Sequence, residues 1–275
     1  MEKIRRNERL SAMMKILSDS PNKIFTLSYF CDLFGAAKST MSEDIDILQS
    51  VTGAYGLGTP ETVTGAAGGV RWRATVKRSD ANRYIAGLCE MLSGPDRVLP
   101  GGFLYYSDIL CDPEVARRMG EILASEYYEK APDFVLTMET MGIPVAQATA
   151  ASLGVPLVIA RHSSRVYEGS AVNINYVSGS NGGIETMSLS RRAVREGSRA
   201  LIIDDFLKGG GTAKGMIDLM REFRVSVVGL GFVMATEKPE KKRISGEKAL
   251  MILSPIGDDD ERAVLRPASW LTEEA

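Results

Sequence analysis

Asp204 and Asp205 stand side by side where the apolar run of "RALIIDD" stops, and the turn Lys208, Gly209, Gly210, Gly211, Thr212 follows at once. Paired carboxylates can accept hydrogen bonds from a vicinal diol, or order a magnesium ion through its waters. Glycines let the backbone approach a phosphate closely. Their successive N–H groups form an anion nest, and the start of a helix adds positive potential. The acids would repel a phosphate, so acids and amides must serve different parts of one ligand. A diol and a phosphate one turn apart describe a ribose 5-phosphate. The plain alternative is a strand that ends on two acids before a tight turn. Two familiar phosphate motifs are absent: no GxxxxGK[ST] occurs, and Gly209 and Gly211 lead to Lys214 where a dinucleotide fingerprint needs its third glycine.

The elements that must hold this turn read as α/β. From about Ser79, apolar runs alternate with amphipathic helices. Asp80 to Leu92 is a helix, "LPGGFLYYSDIL" reads as a loop followed by a strand, and Pro113 to Lys130 is a helix with proline near its first position. "DFVLTM" (Asp133 to Met138), a helix in "GIPVAQATAASLG" and "VPLVIAR" (Val155 to Arg161) form one strand–helix–strand unit. "RALIIDD", a helix in "TAKGMIDLMREF" and "VSVVGLGFVMAT" form another. Such repeats indicate a parallel sheet covered by helices, with ligands bound beyond the carboxyl ends of its strands. Between the units, Val172, Ile174 and Tyr176 alternate with polar residues, as do Ile184, Met187 and Leu189 approximately. That pattern predicts a long antiparallel hairpin projecting from the sheet around residues 179–183.

A different pattern fills the first part of the chain. Leu10, Met13, Met14 and Leu17 share one helix face, and Leu27, Phe30, Cys31 and Phe34 share another, with Thr26 as N-cap and Gly35 as stop. A third helix fits Lys38 to Gln49, with Met41, Ile45 and Leu48 inward. The tight Gly35-Ala-Ala turn makes the second and third helices a helix-turn-helix, and a small helical docking module is the bland alternative. Lys38, Ser39, Thr40 and Ser42 would meet DNA phosphates at the third helix's positive end. Glu61 to Val63 can pair with Val70 to Arg73 across residues 64–69, a wing bearing Arg71 and Arg73. Arg5 and Arg6 precede the first helix. Residues 1–78 hold eleven lysines and arginines against eight acids, a formal +3, while the whole chain is −2. DNA binding is thus expected of the first part only.

Composition bounds the rest. Apolar content of 44% and charged content of 25% are globular values in a chain of 275 residues. Cys31, Cys89 and Cys111 share no CxxC spacing, which suits a reducing, cytoplasmic setting. One histidine and no cysteine cluster argue against a metal site, and no apolar run has the length of a membrane span.

"ALIIDDFLKGGGT" resembles the phosphoribosyl pyrophosphate (PRPP) motif of type I phosphoribosyltransferases, and "TMETMGIPVAQATAASLGVPLVIAR" resembles the segment those proteins use for pyrophosphate. With "STMSEDIDIL", "ETVTGAAGGV", "LPGGF", "EGSAVNINYVSGS" and "TMSLSRR", nearly the whole chain resembles the purine operon repressors of Gram-positive bacteria. The resemblance implies a winged helix over residues 1–74 and a phosphoribosyltransferase-like effector domain over 75–275, generally dimeric. It implies repression of purine-synthesis genes, PRPP as inducer, and purine nucleotides such as guanosine tetraphosphate competing at the same site. Asp204 and Asp205 would hold the ribose hydroxyls. Lys208, Gly209, Gly210, Gly211 and Thr212, flanked by Leu207 and Ala213, would cradle the 5-phosphate. Phe206 would cover a purine ring. Met138, Glu139, Thr140, Met141 and Gly142 would offer backbone amides to the pyrophosphate. Phe103 is a weaker base contact, and Arg161 with the hairpin up to Arg192 would cover the pocket. No cofactor is obligatory, though magnesium could accompany PRPP. The domain is read as a sensor and not an enzyme; the alternative is an active purine phosphoribosyltransferase with an added DNA-binding domain. His162 reads as an exposed loop residue.

Overall fold

The computed structural model describes residues 4–65, 68–164, 169–178, 182–257 and 260–272. The chain divides into two compact units, the first Met1–Lys77 with Ala151–Gly154, the second Arg78–Ala150 with Val155–Ala275. The first contains helices α1 (Arg6–Ser18), α2 (Leu27–Phe34) and α3 (Lys38–Tyr55), then strands β1 (Thr59–Val63) and β2 (Gly69–Arg73). The predicted stripes turn inward: Met13, Leu17, Phe30, Met41, Ile45 and Leu48 pack with Val70 and Trp72. Each such side chain contributes about 1.5–3 kcal/mol of burial. Thr26 caps α2 by accepting from the Tyr29 amide at 3.2 Å. Gly35 ends α2 in the left-handed region at φ 60°.

Helix α3 corrects the expected end at Gln49. Its inward face continues to Thr52, whose hydroxyl donates to the Leu48 carbonyl at 2.9 Å, and Gly56 stops it at φ 63°. The wing pairs antiparallel with Glu61 opposite Arg71 and Val63 opposite Gly69. Gly69, expected in the loop, therefore belongs to β2. A Cβ there would overlap the Phe25 carbonyl, because Phe25 and Val70 exchange backbone hydrogen bonds of 2.9 Å. Ala66 and Ala67 at the wing tip lie outside the described residues.

The second unit begins with α4 (Arg78–Leu92), followed by the short strands β3 (Val98–Leu99) and β4 (Phe103–Leu104). The expected strand through "SDIL" is instead the short helix α5 (Ser107–Cys111). Ile109 and Leu110 are both buried, as suits a single helical turn packed on its neighbour rather than a strand with one face outward. Asp112 caps α6 (Pro113–Tyr127), which passes into a 3₁₀ turn through Lys130.

The core sheet then forms from β5 (Phe134–Met138), α7 (Ile143–Leu153), β6 (Leu157–Ala160), β9 (Arg199–Leu207), α8 (Gly211–Glu222), β10 (Ser226–Thr236), β11 (Lys248–Leu253) and β12 (Leu265–Pro267). Strand order is β12-β11-β10-β9-β5-β6, parallel except for β12. Strands β11 and β12 lie in a C-terminal stretch for which the sequence reading offered no element. No helix among the described residues is long and apolar enough to cross a membrane.

Between β6 and β9 the chain forms the hairpin β7 (Ala171–Val177) and β8 (Ile184–Ser190) as a separate two-stranded sheet. Its Tyr176 and Met187 pack on α8, where Gly215 leaves room for the tyrosine ring. Residues 165–168 and 179–181, part of the expected cover, lie outside the described residues.

Candidate functional site

The sheet opens at one place. Strand β9 pairs with β10 as far as Leu207, but with β5 only as far as Ile202. From β5 the chain moves outward to β6, and from β9 it moves the other way to β10 and β11. The diverging ends leave a crevice at this reversal, where open α/β sheets bind ligands. A cavity of about 1050 Å³ occupies it, bounded by Met138 and Glu139 on one side and by Asp204 to Lys208 and Gly210 to Ala213 on the other.

The expected strand end at the acids is corrected: β9 runs through both and stops at Leu207. Side chains alternate along a strand, so the two acids meet different neighbours. Asp204 is buried, and its Oδ1 accepts from the Thr137 hydroxyl at 3.3 Å. Asp205 Oδ2 accepts from the Tyr106 hydroxyl at 2.7 Å, and the Tyr106 ring stacks on Phe206 with centroids 6.2 Å apart. Burial, then the charge of Asp205, pushes the Asp204 carboxyl well above the usual carboxylate range. Burial also raises Asp205, opposed first by the Tyr106 hydrogen bond. Burial and the Asp205 charge push the Tyr106 phenol up. The pair therefore resists holding two charges at once, and a ligand donating two hydroxyls suits it.

The turn after β9 is built for close approach. Gly210 caps α8 in the left-handed region at φ 78°, and Gly211 opens the helix. The segment after β10 ties the turn down from behind. Lys242 Nζ donates to the carbonyls of Lys208 at 3.2 Å and Thr236 at 2.7 Å, and the Arg243 amide donates to the Gly209 carbonyl at 3.0 Å. With carbonyls of the turn engaged there, its amides and the positive end of α8 suit an anion. Burial lowers the Lys242 ammonium. Lys208 is exposed at the cavity edge, and Thr212 lines the cavity.

The loop after β5 reaches Asp204. A Cβ on Gly142 would overlap Asp204 Oδ1 and lie 2.6 Å from Thr137 Oγ1. Thr140 is exposed and Met141 half-buried. The Glu139 carboxylate accepts from the His162 amide at 2.7 Å and from the Arg161 guanidinium at 3.2 Å. Arg161 thereby braces this loop, and its backbone pairs with Ser188 of the hairpin. Phe103 stands exposed on the cavity rim.

In the first unit, Lys38, Ser39 and Ser42 are exposed at the start of α3, and Thr40 is half-buried. Arg5 is exposed at the cap of α1. Arg6 is bonded to Glu43 at 2.6 Å. The Nε atoms of Arg71 and Arg73 lie 2.6 and 2.7 Å from Glu61 Oε2. Arg9 is buried against Asp44 at 2.8 Å and braces α1 on α3.

A model of the bacterial purine repressor N-terminal domain matches residues 5–74, and a phosphoribosyl transferase domain model matches residues 106–267. The purine biosynthesis transcriptional repressor of Bacillus subtilis (strain 168) is 40% identical over 98% of this chain and 94% of its own. The chain belongs to the purine repressor family. Within that family, a purine biosynthesis transcriptional activator of Lactococcus lactis subsp. lactis (strain IL1403) is 38% identical over 92% of this chain and 93% of its own. The second unit shares its fold with an adenine phosphoribosyltransferase of Thermoanaerobacter pseudethanolicus: TM-score 0.53 and 22% identity over 61% of this chain and 98% of that one. The purine repressor family thus joins a DNA-binding repressor domain to a phosphoribosyltransferase fold.

Several residues of this purine repressor's pocket escaped the sequence reading. Tyr106 lies 99 positions from the aspartate it touches, in a segment misread as strand. Tyr176 donates to Glu185 at 2.7 Å across the hairpin, and both line the cavity with His162. Their pairing is legible only once the register is known. His162 is half exposed, as a loop residue should be, yet it faces the cavity, with Nδ1 3.9 Å from Glu185. Thr137 did leave a signal, as the one hydroxyl in the apolar run "DFVLTM".

Proposed function

We propose that this chain represses purine biosynthesis genes by binding operator DNA through its winged helix, and that PRPP in the β5–β9 crevice relieves the repression. The observation that carries the reading is the crevice: an acid pair, Asp204 buried and Asp205 half-buried, one turn before an amide-rich helix start, in a chain that also holds a purine repressor DNA-binding domain. Ribose hydroxyls of PRPP donate to Asp204 and Asp205, the 5-phosphate rests on Lys208 to Thr212, and the pyrophosphate with any accompanying magnesium faces the Met138 to Gly142 loop. Phe206, and Phe103 at the rim, offer faces to a purine. Purine nucleotides such as guanosine tetraphosphate would therefore compete with PRPP. Lys38, Ser39, Thr40, Ser42, Arg71 and Arg73, with Arg5 and Arg6, form the DNA-facing set. The active form is a homodimer, and the domain senses PRPP without transferring it.

Relief requires that PRPP bind the free repressor more tightly than the DNA-bound one. The test measures operator binding with and without PRPP, alongside pyrophosphate release with each purine base. Base-dependent turnover together with DNA binding indifferent to PRPP overturns the reading in favour of an active transferase. The double variant Asp204→Ala/Asp205→Ala should keep operator binding and lose relief by PRPP.

A further inference from the structure

Two adjacent carboxylates, one buried and one half-buried, pose a problem that the fold solves asymmetrically. Asp204 faces Thr137 and the close backbone of Gly142, and it is buried. Asp205 is less buried, and an uncharged phenol donates to its Oδ2 at 2.7 Å. The phenol comes from the residue just before α5, and its ring is fixed by stacking on Phe206, the next residue of the strand. A short 2.7 Å phenol bond to the less buried acid, against a longer 3.3 Å threonine bond to the buried one, breaks the symmetry of the pair.

We propose that Tyr106 is a positioning residue of the effector site: its hydroxyl holds Asp205 in one orientation and settles the pair's charge on Asp205, leaving Asp204 as the protonated member. A diol then meets one charged acceptor and one neutral acid, each able to bond a hydroxyl. The directions of titration agree, since burial raises Asp204 strongly while the Tyr106 bond opposes the rise of Asp205. The inference rests on the PRPP reading above. Other titratable groups lining the cavity are Glu139, His162, Tyr176, Glu185, Lys208 and Lys238, and whatever they contribute is common to both proteins compared below.

Tyr106→Phe keeps the ring and its stack and removes only the hydroxyl. PRPP affinity is measured by calorimetry from pH 5 to 9 in the full-length wild type and in the variant. Carboxyl carbon NMR follows the acid pair in both proteins without ligand, assigned through Asp204→Asn and Asp205→Asn. Without its donor, Asp205 should titrate about one pH unit higher, and PRPP affinity should fall roughly tenfold on the acid side of that titration, recovering as pH rises through it. Superimposable carboxyl titrations, or a tenfold loss that is the same at every pH, overturn the role of Tyr106. A wild type that fails to bind PRPP overturns the reading of the site, and the role of Tyr106 in it.

Discussion

Adding a single methyl group at Gly142 should disable the effector site from behind. The Cβ of Gly142→Ala would overlap Asp204 Oδ1, lie 2.6 Å from Thr137 Oγ1 and come within 3.1 Å of the Asp204 Cα. Two of these neighbours cannot move cheaply. The Asp204 Cα belongs to a strand hydrogen-bonded to β10, and Thr137 is fully buried in β5. The strain must then displace the Met138–Gly142 loop or swing the Asp204 carboxylate out of place. Overpacking of this kind costs about 1–3 kcal/mol. In a unit of this size that lowers Tm by roughly 2–4 °C per kcal/mol. Scanning calorimetry should therefore show a drop of about 2–12 °C in the effector unit. PRPP titration should show a larger relative loss, because in the proposed binding mode loop and acid both contact the ligand. Operator affinity without PRPP should be unchanged. A variant with wild-type Tm and wild-type PRPP affinity would refute the packing of this loop on Asp204.

Two further outcomes follow from the charges. Because the folded value of Asp204 is raised by burial, its contribution to stability is present below the usual carboxylate range and is lost as pH rises through the raised value. Asp204→Asn removes that loss, so its stability advantage over wild type should grow with pH by up to about 1.4 kcal/mol per pH unit, read from melting curves between pH 4 and 9. On the wing, Glu61→Gln should loosen the hold on Arg71 and Arg73. Operator affinity at low salt should rise several-fold, and the slope of log K against log salt should steepen by about 0.9 for each phosphate newly neutralised.

How much of this was legible in the sequence depends on range. Helix faces such as Met13/Leu17 and Met41/Ile45/Leu48 declare themselves through local period. The βαβ units did the same, as did the acid–glycine turn, whose chemistry is local. The limits of α3 and β9 were misjudged because both continue through polar residues. Thr52 sits inward with its hydroxyl bonded to its own helix, and Asp204 and Asp205 sit in a strand whose other partners are apolar. The short helix α5 was mistaken for strand because five residues are too few to show a period. Tyr106, Glu185 and His162 join the cavity only through tertiary contacts, which no local pattern encodes.

The pocket breaks rules that the rest of the unit obeys. A fold shaped only for stability would not place two neighbouring carboxylates at the mouth of an otherwise apolar strand, and would not start a helix on a left-handed glycine without a capping side chain. Both departures make sense for a surface that awaits hydroxyls and a phosphate. Among the described residues the acids take one phenol and one threonine hydroxyl as side-chain donors from elsewhere in the chain, so a ligand's hydroxyls would meet acceptors already set to receive neutral donors. A ligand bound there as proposed would hold β5, β9 and α8 in this arrangement together, since the Gly142 loop, Asp204 and Gly210 belong to the three segments that converge there. On that proposal the ligand's binding energy would be drawn from the alignment of three elements, and any conformation that misaligns them would bind it less well. A difference of tenfold between two such conformations, about 1.4 kcal/mol, is within reach of a single misplaced carboxylate.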